Sequence, residues 1–206
     1  MTQSLVPAAH TDAATPPPSV GPLGFLIDHP LVTRFDEQVD SVAEVLRGNR
    51  IADRLFYSLS KVGDHGIIWH VIGCSRVILN QDTFVAAVAL SSALGIEAAV
   101  VNGPVKMLFR RVRPEPEEPR PLQLRKPRTS SFPSGHASAG AFAAMLVADR
   151  TVKAWPWYLA GGLVGWSRVH VRIHHPSDVL GGFIVGWALG RLALRVIHNH
   201  VSTLNQ

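Results

Sequence analysis

Pro133-Ser134-Gly135-His136, followed by the run ASAGAFAAMLVA over residues 137–148, is the stretch from which fold and chemistry are both read. Pro133 and Ser134 stand at the edge of an apolar, Ala-rich segment. Ser134 therefore reads as an N-cap, and the amides of Ser134, Gly135 and His136 as free donors at a helix start. Gly135 lets the backbone approach a ligand closely. A polar cluster at the head of an apolar helix is an anion site in outline.

Two similar clusters flank it. Upstream, Lys106 precedes Arg113-Pro114; downstream, Ser167-Arg168 is followed by His174 and Asp178. Each cluster sits at the edge of an apolar run, so the loops that carry them meet on one face of a helical bundle. Lys106, Arg113 and Arg168 bring fixed positive charge, and a guanidinium fork matches oxyanion geometry in a way a lone ammonium does not. Together they suit a tetrahedral anion.

Lys-x6-Arg-Pro, Pro-Ser-Gly-His and Ser-Arg-x5-His-x3-Asp, in this order and without a substitution, resemble the signature of the type 2 phosphatidic acid phosphatase superfamily. The resemblance centres on residues 106–178 and extends through the flanking helices to most of the chain after about Asp36. It implies an integral membrane phosphatase and assigns roles to matching positions. His174 forms a phosphohistidine, His136 protonates the departing alcohol, and water activated by His136 then releases phosphate. Lys106, Arg113, Ser134, Gly135 and Arg168 hold the phosphate oxygens, with no metal and no cofactor.

The residues themselves support those roles. His175 precedes Pro176 and is biased away from helix, so the next helix starts at Pro176 with His174 in the loop and Asp178 in the first turn. Asp178 accepting from one ring nitrogen fixes the tautomer and leaves the other lone pair free to attack phosphorus. His136, on a different helix, is left as general acid. Grouping His170, His174, His175 and Asp178 as a metal site is the alternative, but the surrounding cations oppose a bound dication.

Length and composition fit this reading. The 206 residues form one domain, 23–206, behind a Pro-, Ala- and Ser-rich tail over 1–22 expected to be disordered. A hydrophobic content of 47% is ordinary, but it gathers into runs with basic residues crowded between them. Net charge +5 and a pI near 10.0 then point to lipid and phosphate rather than nucleic acid. Cys74 is the sole cysteine, so no intrachain disulfide forms. No basic residue precedes Arg34 and the apolar Gly24–Ile27 is too short for a secretory signal, so insertion must use internal segments.

The expected fold is all-α, a membrane-integral bundle of about five apolar helices with N-terminal amphipathic helices. Phe35, Val39, Val42 and Leu46 recur at helical spacing, and Ile51, Leu55, Phe56 and Leu59 follow. These two helices either lie on a membrane surface or pack across the bundle. The apolar runs are 66–79, 83–104, 134–148, 154–167 and 178–197. Only the second and last reach the ~20 residues that span a bilayer. Glu97, inside the second, is either a paired polar group or evidence against that span. Trp155 and Trp157 sit where an interfacial belt places them. Gly161-Gly162 and Gly181-Gly182 permit close helix approach. The loop Phe109–Phe132 is a lid, a headgroup sensor or solvated chain, and Arg110, Arg111, Arg125, Lys126 and Arg128 read as solvated or near headgroups.

The substrate class expected is a lipid ending in a phosphomonoester or pyrophosphate: phosphatidic acid, phosphatidylglycerophosphate, or a prenyl phosphate, diphosphate or phosphoribose. A vanadate-dependent haloperoxidase and a non-catalytic lipid-phosphate binder are the alternatives. The first is disfavoured by the short chain and apolar runs, the second by the intact His136 and His174. Basic residues cluster on the face that carries the site, and positive residues accumulate inside, which places the site on the cytoplasmic side.

Overall fold

The computed structural model describes residues 18–115, 124, 127 and 129–204, which contain helices and loops but no strand. Each apolar run becomes a helix: α4 (Ile67–Ile78), α5 (Phe84–Val100), α7 (Gly135–Ala148), α8 (Trp155–His170) and α9 (Pro176–Leu204). Ahead of them lie the single turn α1 (Gly24–Ile27) and the amphipathic α2 (Pro30–Glu44) and α3 (Arg50–Val62). The expected tail lies outside the described residues as far as 17. Residues 19–23 are held to the chain, Ser19 by Asp28 and Leu23 N–H by the Leu108 carbonyl at 2.8 Å.

α7 is the axis, packed by α8, α9 and α5 and buried at almost every position. That explains a sequence with no polar face, since a helix surrounded by others needs none. Its neighbours come close because small residues face it. A Cβ on Gly161 of α8 would stand 2.8 Å from the Gly140 carbonyl oxygen of α7, and one on Gly182 of α9 would stand 2.5 Å from the Ser134 carbonyl oxygen. Glu97 of α5 is buried and accepts a hydrogen bond from Ser138 of α7, so it is a paired polar group.

α5 does not end at Val100. Pro104 lacks the N–H a regular turn needs and Gly103 leaves helical torsions (φ −92°, ψ −106°), so Val101–Val105 form a π-turn leading into the short α6 (Lys106–Phe109). Phe84–Phe109 (26 residues) and Pro176–Asn199 (24 residues) are long and apolar enough to cross a membrane, and in the apolar 18-residue stretch of each only 22% and 17% is buried. Their low burial sets them apart from the core helix of a soluble protein. α7, with 14 residues, extends only about 21 Å, and α4 and α8 are also short of the spanning length.

The bundle has two polar ends. At one, Arg150 Nε and Arg76 Nη2 reach Asp82 at 2.9 and 3.4 Å, and His198 Nε2 lies 3.0 Å from Asp149. Trp155 is exposed there, while Trp157 packs inward and donates to Thr151 Oγ1 at 3.0 Å. The other end gathers α6, the starts of α7 and α9, and the loop after α8. α2 packs against that end through the face that holds Asp36 and Ala43, and α3 through Phe56, Tyr57 and Ser60. Asp36, Ala43 and Ser60 are buried, and Arg47 donates to the carbonyls of Val169 and His170. Val42, Val45, Ile51 and Leu55 are left exposed. The helices therefore pack on the bundle, one of the two expected placements, and turn these apolar residues outward.

Candidate active site

Ser134 begins the site. Its extended backbone (φ −69°, ψ 116°) and its hydroxyl, 3.5 Å from the Ala137 amide, make it the N-cap of α7. The amides of Gly135 and His136 come next and have no intrahelical acceptor by position. The Ser134 amide is not the free donor expected: it donates to the Asp178 carbonyl at 2.9 Å, which ties the start of α7 to the start of α9.

Lys106, Arg113, Gly135, His136, Arg168 and His174 line one cavity of about 330 Å³. These come from all three sequence clusters, separated by up to 68 positions. Ser134 and Asp178 lie behind its wall, fully buried. Lys106 Nζ donates to Thr129 Oγ1 at 3.2 Å, and Arg168 donates to Ser60 of α3. Arg113 reaches the carbonyls of Thr129, Ser130 and Ile173 and has Nη1 3.1 Å from His174 Nε2. Burial pulls Arg113 down to about 10, against the opposing charge of Asp178; it remains cationic at neutral pH.

His174 is buried in the loop between α8 and α9, as its place before Pro176 predicts. Its Nδ1 faces Asp178 Oδ2 at 3.5 Å and Ser131 Oγ at 3.4 Å. Because Arg113 can only donate, its contact marks Nε2 as the lone-pair nitrogen and leaves the proton on Nδ1. Burial pushes the ring's pKa well below the usual 6.5, with Arg113 and Arg168 adding to it and Asp178 opposing. The neutral ring is therefore the resting form.

His136 is held from the other side of the cavity. Its Nε2 lies 3.0 Å from the Ser60 carbonyl and 3.2 Å from Asp64 Oδ1. His170 is apart from this group. It turns away to Asp53 of α3 at 2.8 Å and stacks on Phe56 with centroids 4.7 Å apart, so the four residues considered as a metal site do not converge.

Arg111 departs from expectation. It is not solvated: its Nη1 donates to Asp178 Oδ1 at 2.8 Å and its Nη2 to Asp36 Oδ2 at 2.7 Å. The extended backbone after α6 explains the difference. Alternate side chains share a side there, so Arg111 follows Arg113 inward while Arg110, the left-handed cap of α6 (φ 45°), stays exposed. Arg125, Lys126 and Arg128 lie outside the described residues, as do residues 116–123 of the expected lid.

Like Asp36, Ser60 and Asp64, Ser131 is another residue the motif did not supply. Its hydroxyl donates to Asp178 Oδ2, which also accepts from His175 N–H at 2.8 Å. A Ser just ahead of Phe132-Pro133 was its only sequence signal.

The profile of the PAP2 superfamily matches residues 83–202. An undecaprenyl-diphosphatase of Sulfolobus acidocaldarius is 29% identical over 163 residues, covering 74% of this chain and 75% of that protein. A decaprenylphosphoryl-5-phosphoribose phosphatase of Mycobacterium tuberculosis is 30% identical over 135 residues, covering 65% and 74%. In structure, the chain is similar to a transmembrane PAP2-type phosphatidylglycerolphosphate phosphatase from Bacillus subtilis, with a TM-score of 0.64, 23% identity, and coverage of 85% and 90%.

Proposed function

The chain belongs to the PAP2 superfamily, and from that premise we propose that it is an integral membrane phosphatase that removes the terminal phosphoryl group of a prenyl-type lipid phosphate, using His174 as nucleophile. The observation that carries this reading is the single cavity lined by Lys106, Arg113, Gly135, Arg168 and both histidines. Three cations and two helix-start amides complement the equatorial oxygens of a phosphoryl group, where positioning and charge stabilisation do most of the work. The two candidate spans and the exposed apolar surface support a membrane setting.

In the proposed reaction Arg113 exchanges its contact with His174 Nε2 for a phosphoryl oxygen, which frees the lone pair. Nε2 attacks phosphorus in line, and the bond to the lipid-side oxygen breaks. Burial and Arg168 pull the His136 pKa down to about 4, against Asp64, so the ring is neutral at rest. It takes a proton from the phosphate monoanion as substrate binds and gives it to the lipid-side oxygen, with Asp64 stabilising the transient imidazolium. The phosphohistidine carries Nδ1–H and a positive charge, which the Asp178 carboxylate neutralises. Water then attacks phosphorus, His136 takes its proton, and the P–N bond breaks to release phosphate. Every charge is supplied by the chain, so no metal ion is needed.

Prenyl substrates are favoured because two of the three similar proteins named above act on prenyl-linked phosphates by their names, while the third acts on phosphatidylglycerolphosphate. Detergent-solubilised protein should release phosphate from a prenyl diphosphate or prenyl phosphoribose in preference to phosphatidic acid, and His174→Ala should release none. Release equal to wild type from His174→Ala contradicts the assignment of the nucleophile. Preference for phosphatidic acid contradicts the substrate class.

The cytoplasmic side is proposed for the cavity, because α2 and α3 bring Arg34, Arg50, Arg54 and Lys61 to its end of the bundle. With Cys74→Ser as background, Glu115→Cys should react with an impermeant maleimide only after cells are permeabilised. Strong labelling of intact cells places the site outside.

A further inference from the structure

The proposed function leaves a second charged layer behind the cavity unused. Asp178 is fully buried and its two oxygens have different partners. Oδ2 faces His174, Ser131 and the His175 amide, while Oδ1 faces Arg111 Nη1 at 2.8 Å. The same Nη1 donates to Ser177 Oγ at 2.7 Å. Arg111 Nη2 goes to Asp36 of α2 at 2.7 Å, and Asp36 also accepts from Ser177 N–H at 2.7 Å and Ser177 Oγ at 2.8 Å. Asp36 is 6% exposed, and the Arg111 side chain 10%.

The guanidinium is thus shared between two buried carboxylates, one of which faces the nucleophile. Three features fit a device that fixes Asp178. The fork is planar and held at both ends, so its one bond to Oδ1, set against the Ser131 and His175 donors on Oδ2, fixes the carboxylate as a mobile lysine cannot. A buried carboxylate must be paired to remain ionised. Asp36 in turn neutralises Arg111 and anchors the first turn of α9, through the Ser177 amide, to a helix outside the residues 83–202 that carry the family match.

Resting on the proposed function, we infer that Arg111 and Asp36 are positioning residues: together they hold Asp178 ionised and in plane behind His174, making α2 part of the catalytic apparatus. Neither is among the residues that line the cavity with Gly135, His136 and Arg168, although both line a neighbouring one that touches His174. Their loss therefore slows formation of the cationic phosphohistidine and leaves substrate binding alone.

The test is a set of double-mutant cycles on phosphate release, with thermal unfolding in detergent to check each variant. Arg111→Gln should lower kcat on the order of 10- to 100-fold with KM within about threefold, since misorientation of a reacting group costs rate rather than binding. Arg111→Lys should recover part of the loss. In an Asp178→Asn background Arg111→Gln should change kcat by less than about threefold, because residues acting through one group are not additive. If Arg111→Gln does not fold, Asp36→Asn serves in its place, with a fall of roughly tenfold that vanishes in the same background. Wild-type kcat in these single variants, a loss expressed in KM, or full additivity with Asp178→Asn overturns the inference. If His174→Ala retains turnover, the proposed function fails first and takes the positioning role with it.

Discussion

At His174 the resting ring is neutral, which is the form a nucleophile needs. The sign of the pH dependence follows. A depressed pKa means the proton is bound only at lower pH, so the reactive form persists as pH falls through the usual 6.5. The acidic limb of kcat/KM, corrected for ionisation of the substrate phosphate, should lie below pH 6.5, and an apparent pKa at or above that value counts against His174 as the free base. That Lys106, Arg113, Ser134, Gly135, His136, Arg168, His174 and Asp178 come together was legible because each motif is local and lies beside a helix start. Arg111, Asp36, Ser131 and Asp64 were not. Asp36 meets Arg111 across 75 positions, and no spacing within one segment records such a pairing. The periodicity of α2 placed Asp36 on the polar face, which the sequence assigns to solvent by default and which packing here turns inward.

Among the elements, the apolar runs marked where helices form, since α4, α5, α7, α8 and α9 fall on them within a few residues. Their lengths did not tell which cross a bilayer. α7 is apolar all round because it is the axis of the bundle, a reason for apolarity that composition cannot separate from lipid contact. The π-turn at Val101–Val105 was also hidden, although Gly103-Pro104 marks a break, and it determines where Lys106 points. The closest approach that bears on the site is Gly182 against the Ser134 carbonyl. Gly182→Val should force α9 from the head of α7, destabilise the protein by about 1–3 kcal/mol, and lower turnover by disturbing the Ser134 to Asp178 bond. Unchanged melting in detergent together with unchanged turnover would mean that α7 and α9 are not packed so tightly there.

For the whole molecule, the arrangement is a short-helix bundle with its chemistry at one polar end and two amphipathic helices closing that end. α2, α3 and the turn after α3 give Asp36, Ser60 and Asp64 to the site, while Val42, Val45, Ile51 and Leu55 face outward, where an interfacial position in the lipid headgroups would accommodate them. The central claim is that phosphoryl transfer passes through His174 with charges supplied only by the chain. The most direct measurement is rapid quenching of the detergent-solubilised protein with a prenyl diphosphate labelled at its terminal phosphorus, in excess EDTA. The account predicts an acid-labile, base-stable phosphoprotein whose label maps to His174 and is absent from His174→Ala. Turnover without any trapped label at His174, or turnover abolished by EDTA and restored by a divalent metal, contradicts it.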